Sequence, residues 1–415
     1  MSEQKPGLTE KLHEALSGVL HHLEWHEASG ETGEGTDPSA ASVSDKRKVR
    51  ILRAGLICVA VILVILLIAT LIGRVRYDDY EVVSSSVVEK TDNVSKYRSI
   101  GDEILRFSSD GASLLEKDLD SRWNVTYDME QPEADACAGA IVIYDRNGTD
   151  VRVFDRRGII GSFQAERPIV KAKVSKDGNV MLLLSDNEAA LLRYYTADGS
   201  EIASISSTMQ TTGYPADFDL SENGLYLAVS YMAVRGDSVG THLVFYDFSR
   251  EGRAIADNVT AQAEFDQELV PVVYYEGNDR ITAVRENGFT LFKGKTPSEY
   301  KSVDFDSEIV STFHDDKHLG FIFRDGGDHR YEMKIYDAGG ALKVTAPVDI
   351  LYDDVTVSSD QIIFTNQSEL GVYTMGGSCR FEGALDEGDI SYILRTGRNR
   401  YLVVTNARTE MIRLT

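Results

Sequence analysis

A repeated pattern of short strands and tight turns constrains the fold of this chain more than any other feature. The clearest unit begins at Arg167, where IVKAKVS, VMLLLS, ALLRYYT and EIASIS are separated by KDGN, DNEA and ADGS. Because Asn and Gly adopt the positive φ angles that short hairpins need, these segments predict four antiparallel strands within about 40 residues. That length and strand number are typical of one β-propeller blade.

The same pattern recurs along most of the chain. Further units begin at Pro132, Pro215, Glu268, Glu308, Asp353 and Asp389, and residues 95–129 form one more. Three clear strands are evident in the units from Pro215 and Glu268. First strands follow one another at intervals between about 35 and 55 residues, which fits propeller blades and not an immunoglobulin-like sandwich of about 100 residues.

The last unit shows only three strands before Thr415. A closed ring hides its strand edges, so the fourth strand has to come from another part of the chain. The β-branched segment YEVVSSSVVEK, residues 80–90, is the natural candidate. The sequence therefore predicts an all-β, eight-bladed propeller over residues 77–415, closed by residues 80–90. A seven-bladed ring is the alternative, because one weak strand near the start would change the total.

Residues 54–73 (AGLICVAVILVILLIATLIG) contain no charged side chain. Their length matches the roughly 20 residues that a helix needs to cross a bilayer. Five basic residues precede this run and two follow it: Lys46, Arg47, Lys48, Arg50 and Arg53, against Arg74 and Arg76. The asymmetry predicts a single-pass signal anchor in the cell membrane, with a cytoplasmic amino terminus and an extracytoplasmic carboxyl-terminal domain.

Two further segments are predicted before the membrane span. In residues 1–27, one face of a short cytoplasmic amphipathic helix collects Leu12, Leu16, Val19, Leu20 and Leu23. Its polar face carries charges of both signs, so we expect it to contact a second protein partner or another copy of itself. Residues 28–53 join a Gly-, Ser- and acid-rich stretch to the basic flank and are predicted to be a flexible linker.

The predicted extracytoplasmic domain is strongly acidic. Residues 77–415 carry the whole formal charge of −23, because residues 1–53 contribute −2 and Arg74 and Arg76 contribute +2. Such a domain repels phosphate backbones, so nucleic acid is not an expected partner. Cys137 and Cys379 are far apart in sequence and are predicted to be buried free thiols, as in a disulfide-poor bacterial surface domain.

No motif of a catalytic, cofactor or metal site is present in the sequence, so none is predicted; G-x-S-x-G, phosphate-loop and H-E-x-x-H patterns are all missing. One loop resembles the opening of a calcium-binding loop: Asp219, Ser221, Asn223 and Gly224. It lacks the closing bidentate glutamate, which favours a hairpin turn instead. Three histidines of one unit are predicted to be surface residues: His314, His318 and His329.

A ligand is predicted to bind at the axial face of the propeller, where the innermost strands and the loops between blades converge. Lys171 and Lys173 share one face of a first strand, while Arg167 and Tyr214 lie at blade junctions. These four residues are the candidate ligand-binding residues, and the two lysines suit an anionic ligand. Salt bridges to acidic neighbours are the alternative role of the lysines.

The chain also resembles a known family. The resemblance rests on YEVVSSSVVEKTD, ILRFSSDGASLLEKD, WNVTYDM, the SKDG and YYTADG hairpins, TTGYPADFDLSENG with LAVSY, and NRYLVVTN with EMIRL. These segments resemble the membrane-anchored, propeller-like family of unknown function found in Gram-positive anaerobes, with a WD40-like or quinoprotein-like propeller. The resemblance implies the fold and the membrane location, and it implies no activity and no catalytic residue.

Together these features predict a non-enzymatic binding or assembly module at the bacterial cell envelope, with a protein partner on the extracytoplasmic side. The alternative is a carbohydrate-binding or carbohydrate-active envelope protein that uses the axial face, because carboxylates are too numerous to exclude glycosidase chemistry. Aromatic rings exposed toward the axis would favour this alternative.

Overall fold

The computed structural model describes residues 75–87, 95–116, 119–186, 189–210, 212–235, 238–358, 360–386, 390–405 and 408–415. These residues form eight four-stranded antiparallel sheets, each of which is one blade of a propeller. The prediction of an eight-bladed ring is confirmed, and the seven-bladed alternative is wrong. The predicted cytoplasmic helix, linker and membrane span lie outside the described residues. Within the described ranges, no helix has the length and apolar character needed to cross a membrane.

The strands are numbered in chain order, and the first of them, β1 (Tyr80–Val87), belongs to the last blade. Blade 1 contains β2 (Lys96–Ile100), β3 (Glu103–Ser108), β4 (Gly111–Leu115) and β5 (Ser121–Thr126). Blade 2 contains β6 (Pro132–Cys137), β7 (Ala140–Asp145), β8 (Asp150–Asp155) and β9 (Gly158–Gln164). Blade 3 contains β10 (Ile169–Val174), β11 (Val180–Ser185), β12 (Ala190–Tyr195) and β13 (Glu201–Ser207). Blade 4 contains β14 (Tyr214–Leu220), β15 (Tyr226–Arg235), β16 (Ser238–Asp247) and β17 (Val259–Phe265), with two short 3-10 turns at Gly252–Ala254 and Ala256–Asn258.

The second half of the ring follows the same order. Blade 5 contains β18 (Val272–Glu276), β19 (Arg280–Arg285), β20 (Gly288–Lys293) and β21 (Ser298–Asp304). Blade 6 contains β22 (Ile309–His314), β23 (His318–Arg324), β24 (Tyr331–Asp337) and β25 (Leu342–Val348). Blade 7 contains β26 (Asp354–Ser358), β27 (Gln361–Thr365), β28 (Glu369–Thr374) and β29 (Cys379–Ala384). Blade 8 contains β30 (Ile390–Arg395), β31 (Arg400–Thr405) and β32 (Arg408–Leu414), followed in space by β1.

The first strand of each blade lies nearest the axis, because neighbouring blades contact each other chiefly through these strands. Side chains of a strand alternate between its two faces, and each face packs against a different neighbour. In β10, for example, Ala172 and Val174 pack against blade 2, whereas Val170 packs against blade 4 because a β-bulge between Ile169 and Lys171 shifts the alternation. The apolar core of the domain is therefore divided into clusters between the blades.

The ring closes through β1, as the sequence predicts. It pairs antiparallel with β32, from Tyr80 opposite Leu414 to Val87 opposite Arg408. Flanking backbone hydrogen bonds extend this contact: Tyr77 N–H donates to Arg380 C=O at 2.7 Å, and Thr415 N–H donates to Asp79 C=O at 2.9 Å. The amino-terminal strand thus completes a blade made otherwise from the carboxyl terminus.

Turn chemistry accounts for the predicted hairpins. Gly178 and Gly199 adopt φ of +82° and +87° in the KDGN and ADGS turns, a conformation that side-chain-bearing residues rarely adopt. Gly224, with φ of +69°, closes the β14–β15 hairpin, which confirms the prediction of a turn at this acidic loop. Two outer strands, β17 and β21, were not evident from the sequence, because they lie at the rim and β21 is almost wholly exposed.

Candidate functional site

An axial chain of ion pairs crosses the first strands of blades 1 to 4. Arg98 Nη1 lies 3.3 Å from Asp135 Oδ1, which is 3.7 Å from Lys173 Nζ. Lys173 Nζ in turn lies 3.0 Å from Asp219 Oδ1. We call these four residues the axial ladder. Each blade contributes one charged group, and opposite charges alternate around the axis, so every member faces a partner from a neighbouring blade.

The aspartates also join the first strands of neighbouring blades through the backbone. Each carboxylate accepts a backbone hydrogen bond from the following blade: Asp135 from Val174 at 3.0 Å, Asp217 from Val273 at 2.9 Å, and Asp219 from Tyr275 at 2.9 Å. First strands have one edge without a strand partner, so these carboxylates satisfy donors that would otherwise be unpaired. The aspartates therefore stabilise the inner surface of the ring.

Burial and charge act in opposite directions on the axial ladder. Burial alone lowers the pKa of Lys173, but Asp219 and Asp135 raise it above its ordinary value. Burial raises the pKa of Asp219, and the Lys173 ammonium offsets part of this effect. Lys173 is therefore a fixed cation at neutral pH, held by two carboxylates.

The structure separates the four candidate ligand-binding residues into two groups. Lys171 forms an ion pair with Asp217, and Lys173 belongs to the axial ladder. Arg167 is exposed at a blade junction, and Tyr214 begins β14 with 39% of its surface exposed. The two lysines thus lie together on β10, and both have acidic partners on β14. A ligand contact by any of the four stays a prediction.

A cavity of about 530 Å³ occupies the other side of the axis, between blades 7, 8 and 1. Two aromatic rings from different blades meet in its wall, where Tyr97 of β2 stacks on Tyr392 of β30 with a centroid separation of 5.5 Å and an interplanar angle of 22°. The Tyr392 hydroxyl is 2.5 Å from Ser99 Oγ. This axial cavity therefore has a fixed aromatic wall.

Most of the other side chains that line the axial cavity are polar. They include Arg98, Asp353, Asp354, Asn366, Gln367 and Ser391. Carboxylates can accept hydrogen bonds from a hydrated or hydroxyl-rich ligand, and carboxamides and hydroxyls can both donate and accept them, while the aromatic wall packs against the ligand's apolar face. Sequence reasoning missed this set because its members come from three blades and nothing local distinguishes them.

The three histidines are exposed or half-buried, in line with the prediction. His318 and His329 lie toward the surface and contact Asp315 and Asp349, each at 3.0 Å. His314, which is exposed at the end of a first strand, stacks on Tyr274 with ring centroids 3.8 Å apart. Surrounding protein atoms and the Lys173 ammonium lower the pKa of His314 to about 4, so its ring is neutral at neutral pH.

No hydrolytic triad or metal centre is assembled by the described residues. Their hydrogen bonds do not join His314 to a hydroxyl, thiol or carboxylate, and they contain no group of three or more metal-ligating side chains placed around one point. Cys137 and Cys379 are free and only partly buried. Burial raises the pKa of both thiols to about 11.

The ring and its axial geometry define the class of the protein as an eight-bladed β-propeller with a polar axial cavity. The chain belongs to a family of unknown function (DUF5711), whose model matches residues 73–414. This agrees with the resemblance drawn from the sequence. No similar protein is found among curated sequences.

Three solved structures resemble this chain at low sequence identity. Sqt1 of Saccharomyces cerevisiae has a TM-score of 0.53 and 10% identity, over 81% of this chain and 100% of that chain. BamB of Moraxella catarrhalis has a TM-score of 0.48 and 12% identity over 81% and 100%. The WD40 domain of Neurospora crassa Pan2 has a TM-score of 0.41 and 13% identity over 68% and 88%. The likeness to Sqt1 supports the propeller fold alone.

Proposed function

We propose that this chain is a membrane-anchored, non-enzymatic binding module that holds a protein partner on the extracytoplasmic side of a bacterial envelope. The observation that carries the proposal is the axial cavity of about 530 Å³ within a closed ring. The axial ladder reaches the wall of this cavity only at Arg98, and its groups on blades 2 to 4 are paired with one another. The axial cavity is thus the part of the axis where polar groups face open space.

Binding suits this geometry better than catalysis. A general acid or base needs a proton-transfer partner within hydrogen-bond reach. Lys173 is held as a cation by Asp219 and Asp135, and neutral His314 stacks on Tyr274 instead of contacting a nucleophile. The axial groups with the most perturbed environments therefore have structural partners.

Membrane attachment is the second part of the proposal, and it is supported by residues 54–73 and the basic residues before them. Residues 1–27 would face the cytoplasm and contact a second partner or another copy of the chain, which would link the two sides of the membrane. The acidic charge of the ring argues against nucleic acid on the outer side.

Cysteine labelling tests this topology. At pH 8, a thiol with a pKa of about 11 is ionised roughly 100-fold less than an ordinary one. We therefore expect Cys137 and Cys379 to react slowly with a membrane-impermeant maleimide in intact cells. Ser298→Cys, on exposed β21, should be labelled fast, whereas Ser39→Cys should be labelled only after lysis. Labelling of Ser39→Cys in intact cells would contradict the proposed orientation.

Carbohydrate binding is the second candidate function, and the Tyr97–Tyr392 wall of the axial cavity favours it. Sugar rings pack their C–H faces against aromatic rings and hydrogen-bond to carboxylates and carboxamides. Asp353, Asp354 and Asn366 supply such groups in the same cavity. The half-buried rings of Tyr97 and Tyr392 are the aromatic groups at the axis that support this alternative.

A cross-linking experiment tests the first candidate and separates the two. A photo-reactive amino acid is placed at Gln367 of the full chain in its native cells. Irradiation should then yield one discrete protein adduct. The double variant Tyr97→Ala, Tyr392→Ala should reduce the amount of this adduct at least about tenfold. Tyr300→Ala, on exposed β21, is the matched control and should leave the adduct unchanged. If no protein adduct forms and envelope oligosaccharides bind in a Tyr392-dependent manner, the ligand of the axial cavity is a sugar and not a protein.

A further inference from the structure

The interface between blades 8 and 1 is the least filled of the eight blade interfaces. Among the described residues, its buried apolar cluster has five members: Ile104, Leu115, Leu394, Leu402 and Val404. The cluster between blades 2 and 3 has thirteen. Each of the other seven clusters includes at least one buried aromatic ring, and this one includes none. Two half-buried rings, Tyr97 and Tyr392 of the first strands, pack against this cluster, but no buried ring fills its interior.

That space is a cleft of about 620 Å³, which we call the seam cleft. Its volume lies within the range of ligand-binding pockets in proteins. Buried Ile104, Leu402 and Val404 form an apolar floor. Exposed Asn124 and Thr126 of β5 lie at the opening, so solvent reaches the cleft from the outer part of blade 1. The seam cleft therefore combines an apolar floor with a polar rim.

Arg106 occupies the blade 1 wall of the seam cleft. It lies in the middle of β3, opposite Ser113 of β4. Apart from their end residues, the second strands of the other seven blades contain no charged side chain: β7, β11, β15, β19, β23, β27 and β31. In those blades, apolar residues at the strand centre fill the interface. In blade 1, the exposed side chain of Arg106 occupies this central position of the second strand.

The Arg106 guanidinium has spare hydrogen-bonding capacity. Its Nη2 donates to Ser113 Oγ at 3.5 Å, the outer limit of a hydrogen bond, and none of the described carboxylates forms an ion pair with it. Asp110, which also lines the cleft, accepts from Ser108 Oγ at 2.5 Å. In a chain with a formal charge of −23, an arginine that faces a cavity without a carboxylate partner is a ready anion receptor.

We propose that the seam cleft binds an extended peptide segment of a partner protein, in which a carboxylate lies beside an aliphatic side chain. The carboxylate would pair with Arg106 in the bidentate geometry that guanidinium groups favour. The aliphatic side chain would cover the floor at Ile104 and Leu402, and the peptide amides would bond to hydroxyl and carboxamide groups at the rim. This site is distinct from the axial cavity, although Tyr97 contributes to the walls of both.

Peptide binding to the full chain in lipid nanodiscs tests the proposal. The probes are two pools of fluorescent pentapeptides. In both pools, the four outer positions are Leu, Val, Ser or Thr. The central residue is Asp in one pool and Asn in the other. We expect the Asp pool to bind, and Arg106→Met to weaken that binding about 30-fold or more, the effect of losing a charge-assisted pair. Arg106→Lys should restore only part of it, because an ammonium lacks the planar fork.

Arg157→Met is the matched control, because it removes one guanidinium from an exposed ion pair on blade 2. It should leave binding of the Asp pool unchanged. We also expect Arg106→Met to melt no lower than the wild type, since methionine fills apolar space at this interface. Equal binding of the two pools, no binding of either, or unchanged binding by Arg106→Met would overturn the proposal. Arg106-dependent binding of dodecanoate without peptide binding would overturn the peptide assignment.

Discussion

Replacing Lys173 by methionine should destabilise the propeller by about 3 kcal/mol. Lys173 has 23% of its side chain exposed and lies between Asp135 and Asp219, which are more buried still. Removing the ammonium leaves these carboxylates without their central cation, and an uncompensated buried charge costs far more than the pair itself contributes. Urea unfolding of residues 75–415, followed by tyrosine and tryptophan fluorescence, measures the loss.

The pH dependence of this loss distinguishes charge from packing. In the wild type, the raised pKa of Lys173 means that its contribution is present below the unfolded value of about 10.4 and is lost only above it. In Lys173→Met, burial raises the pKa of Asp219 with no cation to offset it, so the folded state takes up a proton on acidification. The penalty should therefore be smaller at pH 5 than at pH 8.

Two further variants complete the test. Lys96→Met, on the first strand of blade 1, breaks the exposed Lys96–Glu133 pair of 2.7 Å and should cost at most about 1 kcal/mol. Adding Asp219→Asn to Lys173→Met should recover part of the stability, because it removes one of the unpaired charges. Equal losses for Lys96→Met and Lys173→Met would show that the axial ladder has no special role.

Removing β1 should have the second large effect. A chain that begins at Ser95 lacks the strand that pairs with β32 over seven residue pairs. It also lacks Tyr77, whose ring lies 5.2 Å from the Arg380 guanidinium. We expect the free energy of unfolding to fall by more than about 3 kcal/mol and the exposed edge of β32 to promote aggregation. Urea unfolding and size-exclusion chromatography measure both effects.

Adding the missing strand as a peptide provides the control. A synthetic peptide of residues 77–87 should bind the shortened chain and restore its unfolding midpoint. The same peptide with proline at both Ser84 and Ser85 should neither bind nor restore the midpoint. Of two adjacent strand residues, one donates its N–H to the partner strand, so two adjacent prolines remove one such donor whichever residue it is. If the chain from Ser95 is as stable as the longer one, β1 does not close the ring.

The part of the fold that the sequence predicts depends on local signals. The period of the units, the hairpins at Gly178 and Gly199, and the pairing of residues 80–90 with the last blade all follow from turn residues and β-branched runs. Outer strands such as β21 were harder to recognise, because a strand exposed on most positions has no apolar alternation.

The candidate site divides in the same way. The sequence places Lys171 and Lys173 on one strand and predicts that they bind either an anionic ligand or acidic neighbours. It does not show which acids they contact, since Asp135 and Asp219 belong to neighbouring blades. His314 likewise needed the structure, because its contact with Tyr274 joins two blades.

By itself, the sequence determined the repeating blade unit, the strand that closes the ring and the charge of the domain. These depend on periodicity, strand propensity and composition, which are properties of short segments. Only the tertiary structure decided where the open space lies. Ring closure brings Tyr97 against Tyr392, and Ile104 near Leu402, across almost 300 residues of chain. Cavities form where such distant side chains fail to fill an interface, so packing between blades alone determines them.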